Sequence, residues 1–224
     1  MVGCGSDKKS GTGSPWAGKT YMVNIPNTRW KKPQGEAGKE FGHFVPKFLL
    51  KIDNASSGVD VVLGSGDETG KQDACTPTTL MHATSPETQI GPADGRLHVS
   101  NGQGSAIVAP VYNMTFTDIL TDTPDAGGLK GQFNALLDAR DALELIYMLD
   151  DPTPDSVCSF LGDNFNSPCV ACPSTDPNGT QAYCIQMNAV GLAAVPFSGA
   201  TVQTIENEDI AASCESHAET DAGT

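Results

Sequence analysis

Seven cysteines, Cys4, Cys75, Cys158, Cys169, Cys172, Cys184 and Cys214, constrain this chain more than any other feature. Cys4 stands apart, and the remaining six are an even number, enough for three bridges. Disulfides persist in oxidising compartments and are rare in the cytosol, so the pattern predicts an exported protein. Cys158, Cys169, Cys172 and Cys184 fall close together. The simplest reading is two bridges that hold a helix and a coiled loop against the strand near 183–190, with Cys75 and Cys214 closing a third. Other pairings remain open from spacing alone.

The same cluster invites three chemical readings. Haem attachment needs a His after the second cysteine of Cys169-x-x-Cys172, and Pro173 stands there. A thioredoxin-type site needs the pair at a helix start, where the dipole lowers the thiol pKa, and Cys169-Val-Ala-Cys172-Pro-Ser-Thr-Asp-Pro reads as a loop. Four-cysteine zinc sites usually show two Cys-x-x-Cys knuckles, and one is present. A zinc protein is kept as an alternative, and no metal or cofactor is assigned.

With 24 glycines and 15 prolines in 224 residues, the composition favours many short strands and turns over long helices. Period-2 alternation supports this. Tyr21, Val23 and Ile25 mark one strand. Phe48–Ile52 and Val59–Leu63 flank a hairpin turn at 54–58. Leu97 and Val99 mark another strand. Val108, Pro110, Tyr112, Met114 and Phe116 line one face of a longer strand, which Pro110 places at an edge or a bulge. Phe133, Ala135 and Leu137 follow. Tyr183, Ile185, Met187 and Ala189 face one way while Cys184, Gln186 and Asn188 face the other, and Val202 and Ile205 suggest a last strand. Eight or nine strands predict a mainly β fold, an antiparallel β-barrel or β-sandwich with two short helices. The helices are expected at 138–149, with Asp138 as N-cap, and from Thr153 as cap to Leu161, with Gly162 as the stop. The residues divide into a tether at 1–18, one β-rich domain at 19–205 with a helical, Cys-rich insertion at 138–182, and an acidic tail at 206–224.

Charge is unevenly spread. Residues 1–71 carry ten Lys/Arg against seven Asp/Glu, and the remainder three against twenty. Such a surface repels polyanions, so a nucleic-acid partner is not expected. The densest basic cluster, Arg29-Trp30-Lys31-Lys32, reads as a solvated loop. Gly13-Ser-Pro-Trp-Ala-Gly18-Lys19-Thr20 matches a P-loop letter for letter, but a phosphate cradle needs a buried strand before it and a helix after it. Here a polar tether precedes and a strand follows, so no nucleotide is expected.

Other constellations are thin. His43, His82, His98 and His217 have no metal-ligand spacing, and no Gly-x-Ser-x-Gly elbow occurs. Asp150-Asp151 and Asp176-Pro-Asn-Gly179 do not match a calcium loop. Asn54, Asn113 and Asn178 sit in glycosylation sequons, relevant only in a eukaryotic source. Paired carboxylates for hydrolysis are the enzymatic alternative. No segment approaches the roughly 18 apolar residues of a membrane helix.

Val2-Gly3-Cys4 resembles the end of a bacterial lipobox, in which the cysteine is acylated. A polar tether follows at 5–14, spanning on the order of 20 Å. With Trp16-x-Gly18-x-x-Tyr21, Gly128-Leu-Lys-Gly-x-Phe133, Leu137-Asp-Ala-Arg140 and Cys169-x-x-Cys172-Pro…Tyr183-Cys184, the order of features is similar to a group of uncharacterised lipoproteins predicted in myxobacterium-like Gram-negative bacteria. The resemblance implies an envelope location, Cys4 as the lipidation site and no assigned activity; Gly5 after the cysteine would direct the protein to the outer membrane. Trp16 before a first strand is also similar to lipocalin-like barrels. The expected function is therefore a non-enzymatic exported envelope lipoprotein. Its expected partners are the membrane, through the lipid anchor, and a small apolar ligand or an envelope protein. A barrel interior would be lined by Tyr112, Met114, Phe116, Tyr183, Ile185 and Met187.

Overall fold

The computed structural model describes residues 14–25, 28–67, 69–84, 89–100, 106–120, 130–141, 143, 149, 151–173, 182–198 and 201–210. Ten strands, β1 (Lys19–Val23), β2 (Arg29–Lys32), β3 (Lys47–Ala55), β4 (Gly58–Gly66), β5 (Thr79–Ala83), β6 (Gln89–Ser100), β7 (Ala106–Thr117), β8 (Gly131–Asp138), β9 (Cys184–Leu192) and β10 (Ala194–Pro196), form two five-stranded sheets. The first runs β10-β1-β3-β4-β5 and the second β2-β9-β8-β7-β6. All named pairings are antiparallel. Neither sheet closes on itself, so the fold is a sandwich and the barrel alternative is set aside.

The alternation read from sequence puts Tyr21, Val23, Phe48, Leu50, Ile52, Val59 and Val61 of the first sheet in one buried cluster with Val111, Phe116, Phe133, Leu137, Ile185 and Met187 of the second. Three rings lock the centre. Phe48 lies 5.6 Å from Phe116 and 5.2 Å from Phe133, and Phe116 lies 5.1 Å from Phe133. Such pairs add about 0.5–1.5 kcal/mol each beyond their burial. Gly58 closes the β3–β4 hairpin at φ +131°, and a Cβ there would sit 2.0 Å from the Ala83 carbonyl oxygen, so the turn requires glycine.

The long strand β7 departs from its expected face. Ala109 and Val111 are buried in its first half and Met114 and Phe116 in its second. Asn113 takes a left-handed φ of +52°, and the pairing with β8 shifts register between Tyr112 and Thr115. This bulge reverses the inward parity, so Val108, Pro110 and Tyr112 do not share a face with Met114 and Phe116. Pro110 also lies in an internal strand. It tolerates that place because the β7–β8 pairing begins at Val111, one residue later, and Pro110 has no β8 partner to disappoint.

Helix α1 (Gly35–Phe44) was not foreseen. It packs on β2, with Phe41 5.5 Å from Trp30, and Gly38 permits the approach, since a Cβ there would meet the Trp30 Cβ at 2.8 Å. Helix α2 (Pro154–Phe165) begins as expected, with Thr153 Oγ1 accepting from the Ser156 N–H at 3.1 Å and Ser156 Oγ accepting from the Thr153 N–H at 2.9 Å. It runs past Gly162 and stops at Asn166, which is left-handed. The helix expected at 138–149 is corrected in its first part. Asp138 is the last residue of β8, not a cap, and Ala139–Asp141 form a single 3-10 turn. Residues 142, 144–148 and 150 lie outside the described residues. Val202 and Ile205 belong to no strand; they lie in a coil that crosses the first sheet.

That coil and residues 69–78 clasp one another over the outer face of the first sheet. The Gln72 amide donates to the Gln203 carbonyl and accepts from the Gln203 N–H, both at 2.8 Å. Thr78 N–H donates to the Ile205 carbonyl at 2.9 Å, and Thr78 Oγ1 accepts from the Ile205 N–H at 3.0 Å. Beneath the clasp Leu49 is fully buried, and Gly64 and Gly66 leave room for Gln72, Val202 and the Leu49 side chain.

Candidate functional site

Among the described residues, the second sheet carries no such cover over its centre. Three of its outward positions on β8 and β9 are amides, Asn134, Gln186 and Asn188. Antiparallel register lines up Lys32 of β2, Asn188 of β9, Asn134 of β8 and Thr115 of β7 in one row. The next row holds Gln186, Leu136 and Tyr112. Asn188 Nδ2 donates to Asn134 Oδ1, and Lys32 Nζ donates to Gln186 Oε1 at 2.6 Å. With Arg29, Lys31, Gln34 and Asn113, these side chains line an open groove of about 840 Å³.

The basic cluster builds the groove's rim, because Arg29–Lys32 is an edge strand and not the solvated loop expected. Trp30 turns inward opposite Ala189 and is buried. Strict alternation would then send Lys32 inward as well. A register shift between Trp30 and Lys32 makes Lys31 the extra residue and returns Lys32 to the outer face, opposite Asn188. All three cations therefore border the same groove.

At the far end of this face Asp138 is buried and held by Arg140, whose Nε donates to Oδ1 at 2.9 Å and Nη2 to Oδ2 at 2.6 Å. Burial pushes this carboxyl up, but hydrogen bonds from Arg140 and Tyr112 and the Arg140 charge outweigh it and hold the carboxyl below its usual range. The Arg140 guanidinium also lies 5.9 Å from the Tyr183 ring centroid. Asp138 is thus a saturated structural carboxylate. It sits within 4.8 Å of the Cys172 and Cys184 sulfurs, which are bridged to each other.

Cys158 of α2 bridges Cys169 of the loop, and Cys172 of the loop bridges Cys184 of β9. These are the two bridges expected. In this pairing the four sulfurs form two separate bonds and no four-thiolate centre. Cys75 is disulfide-bonded as well. Its expected partner Cys214 lies outside the described residues, as does the lipidation candidate Cys4.

The expected interior cavity is replaced by packing. Met114, Phe116, Ile185 and Met187 are buried in the core, whereas Tyr112 and Tyr183 are half-buried on the other side of the sheet, so the six do not face a common space. The histidines are equally dispersed. His82 Nδ1 lies 2.9 Å from Asp60, His98 Nδ1 lies 2.7 Å from Asp73, and His43 sits in the last turn of α1. His217 and residues 174–181, which include the Asp176–Gly179 segment, lie outside the described residues.

No acidic residue is among the described residues that line the groove, and Asp67, Asp73 and Asp138, which lie away from it, all shift downward. The residues overlooked in the sequence are Lys32, Asn134, Gln186 and Asn188. Their signal was the polar half of the alternation in β8 and β9, where amides recur at every second position. No known protein family, curated protein or solved structure matches the chain.

Proposed function

We propose that this protein is a non-enzymatic envelope lipoprotein, anchored through Cys4, whose body binds a hydroxyl-rich ligand of the saccharide kind on the outer face of the second sheet. The observation that carries this reading is the row of carboxamides across β9 and β8 in an open groove without carboxylates. Each carboxamide offers both donor and acceptor, the complement of a sugar hydroxyl. Amides hold a ligand without chemistry, since none is a nucleophile or a proton-transfer group at neutral pH. The anchor reading rests on Val2-Gly3-Cys4 and the polar tether after it. It places the groove within reach of envelope glycans.

The test is direct. Full-length protein, expressed behind a lipoprotein signal peptide, is titrated with a panel of neutral and acidic oligosaccharides, alongside Asn134→Trp, which fills the groove at its centre. At least one oligosaccharide class should bind, with a tenfold or greater loss in the variant and an unchanged unfolding midpoint. Absence of binding to every member of the panel would remove the ligand reading. Intact mass of the same material checks the anchor, which predicts an acyl adduct on Cys4.

A further inference from the structure

We propose that the groove selects an acidic glycan, with the ligand's carboxylates held along Arg29, Lys31 and Lys32 and its hydroxyls on the amide row. This rests on the groove being a saccharide site and specifies which saccharide it takes. Charge is the first argument. The chain carries 27 acids against 13 bases, so a free cation is scarce and an acidic neighbour is easy to find. Three other described cations have an acidic partner, Lys39 2.6 Å from Glu36, Lys51 3.0 Å from Asp53 and Arg140 2.6 Å from Asp138, while Lys19 and Arg96, far apart from one another, donate to backbone carbonyls; what sets the groove apart is three cations side by side. Arg29, Lys31 and Lys32 border one groove, and no carboxylate among the described residues pairs with them. Lys32 is steered instead by the neutral Gln186 oxygen at 2.6 Å, which orients the ammonium and leaves its charge uncompensated.

The second argument is the backbone. A regular strand would alternate these side chains across the sheet. The bulge at Lys31 gathers them on one side, at the cost of a ladder irregularity next to a buried Trp30.

The third argument is extent. The polar row of Lys32, Asn188 and Asn134 crosses β2, β9 and β8, roughly 10 Å at ordinary strand spacing. That is longer than a single inorganic anion requires. The acidic surface beyond residue 71 repels a long polyanionic duplex but not a short acidic oligomer that enters at the basic rim.

The experiment compares uronate oligomers, neutral glucan oligomers of equal length and inorganic phosphate on the full-length protein by calorimetry, at low and high salt. Uronate should bind at least tenfold tighter than neutral glucan and weaken several-fold as salt rises. The double variant Lys31→Ala/Lys32→Ala should lose at least tenfold in uronate affinity, a loss several-fold larger than its loss for neutral glucan, with an unchanged unfolding midpoint. Equal affinity for neutral and acidic oligomers, or a silent double variant, would overturn acidic selection and leave the groove reading standing. Phosphate binding as tight as uronate would reduce the site to a simple anion site and also overturn it. Absence of all binding by folded protein would overturn both readings together.

Discussion

Outside the first sheet lie Leu49, Gly64 and Gly66; outside the second lie Asn134, Gln186 and Asn188. The first set is apolar or lacks side chains altogether. Exposed, it would leave hydrocarbon and bare backbone in water, and two coils from distant parts of the sequence cover it. The second set keeps its polar groups satisfied by water and by each other, so no cover is required. The comparison teaches that a sandwich face needs cover where its outward residues are apolar or lack side chains, and can stay bare, as it does among the described residues here, where they are polar.

Four perturbations test that contrast, in falling order of effect. Leu49→Ala should cost about 2–5 kcal/mol in urea unfolding, as expected for a fully buried leucine. Leu136→Ala, half-buried on the open face, should cost less than about 1 kcal/mol. Equal losses at the two positions would break the contrast. Next, Cys172→Ser/Cys184→Ser removes the bridge that covers one end of the open face. It should cost about 3 kcal/mol, given the short loop it closes, and expose the 166–173 segment to limited proteolysis. An unchanged cleavage pattern would mean that α2 holds the loop by packing alone.

The third perturbation acts on the clasp. Burial pushes the Asp73 carboxyl up, but hydrogen bonds from His98, Thr76 and the Cys75 N–H, with the His98 charge, outweigh it and bring it from 3.8 to about 2. A carboxyl depressed in the folded state stabilises above its unfolded pKa, and that contribution fades as pH falls from about 5 toward 2. Asp73→Asn should therefore cost about 2 kcal/mol at neutral pH, and the gap from wild type should close as pH falls to 2. A gap independent of pH would show that the effect is one of shape and not of charge. The smallest effect belongs to the groove itself. Asn188→Ala should change stability by less than about 0.5 kcal/mol, because Asn134 can turn to water, while weakening saccharide binding.

Much of the fold was legible because period 2 survives in most strands. Phe133, Ala135 and Leu137, and Ile185, Met187 and Ala189, all face the core as their alternation required. What escaped were places where a local device interrupts the period. The bulge at Asn113 flips β7, and the bulge at Lys31 makes a strand look like a basic loop. Helix α1 escaped because Gly35-Glu-Ala-Gly-Lys-Glu-Phe-Gly contains three glycines, poor helix formers, and its stability comes from Trp30 and tight backbone approach. That two bridges tie the helix and loop to the strand was legible from the clustering of Cys158, Cys169, Cys172 and Cys184, but the pairing Cys158–Cys169 and Cys172–Cys184 was not, because spacing alone allows the alternatives. The groove was not, since it depends on which strand neighbours which, and β2 beside β9 joins segments far apart in sequence.

The pairing of β1 with β10 carries a consequence for how the molecule is made. Translation delivers β1, β3, β4 and β5 before β10 and the 201–206 coil, and these four strands can assemble as a meander while the later elements are still missing. Until those arrive Leu49 stays uncovered and the Tyr21–Val23 edge has no partner on one side. A nascent chain thus passes through a stage with a sticky flank and a free template edge, the conditions that favour association with other chains. Arrival of β10 and the 201–206 coil closes both, so slow passage through that stage exposes the chain to association that the finished sandwich resists.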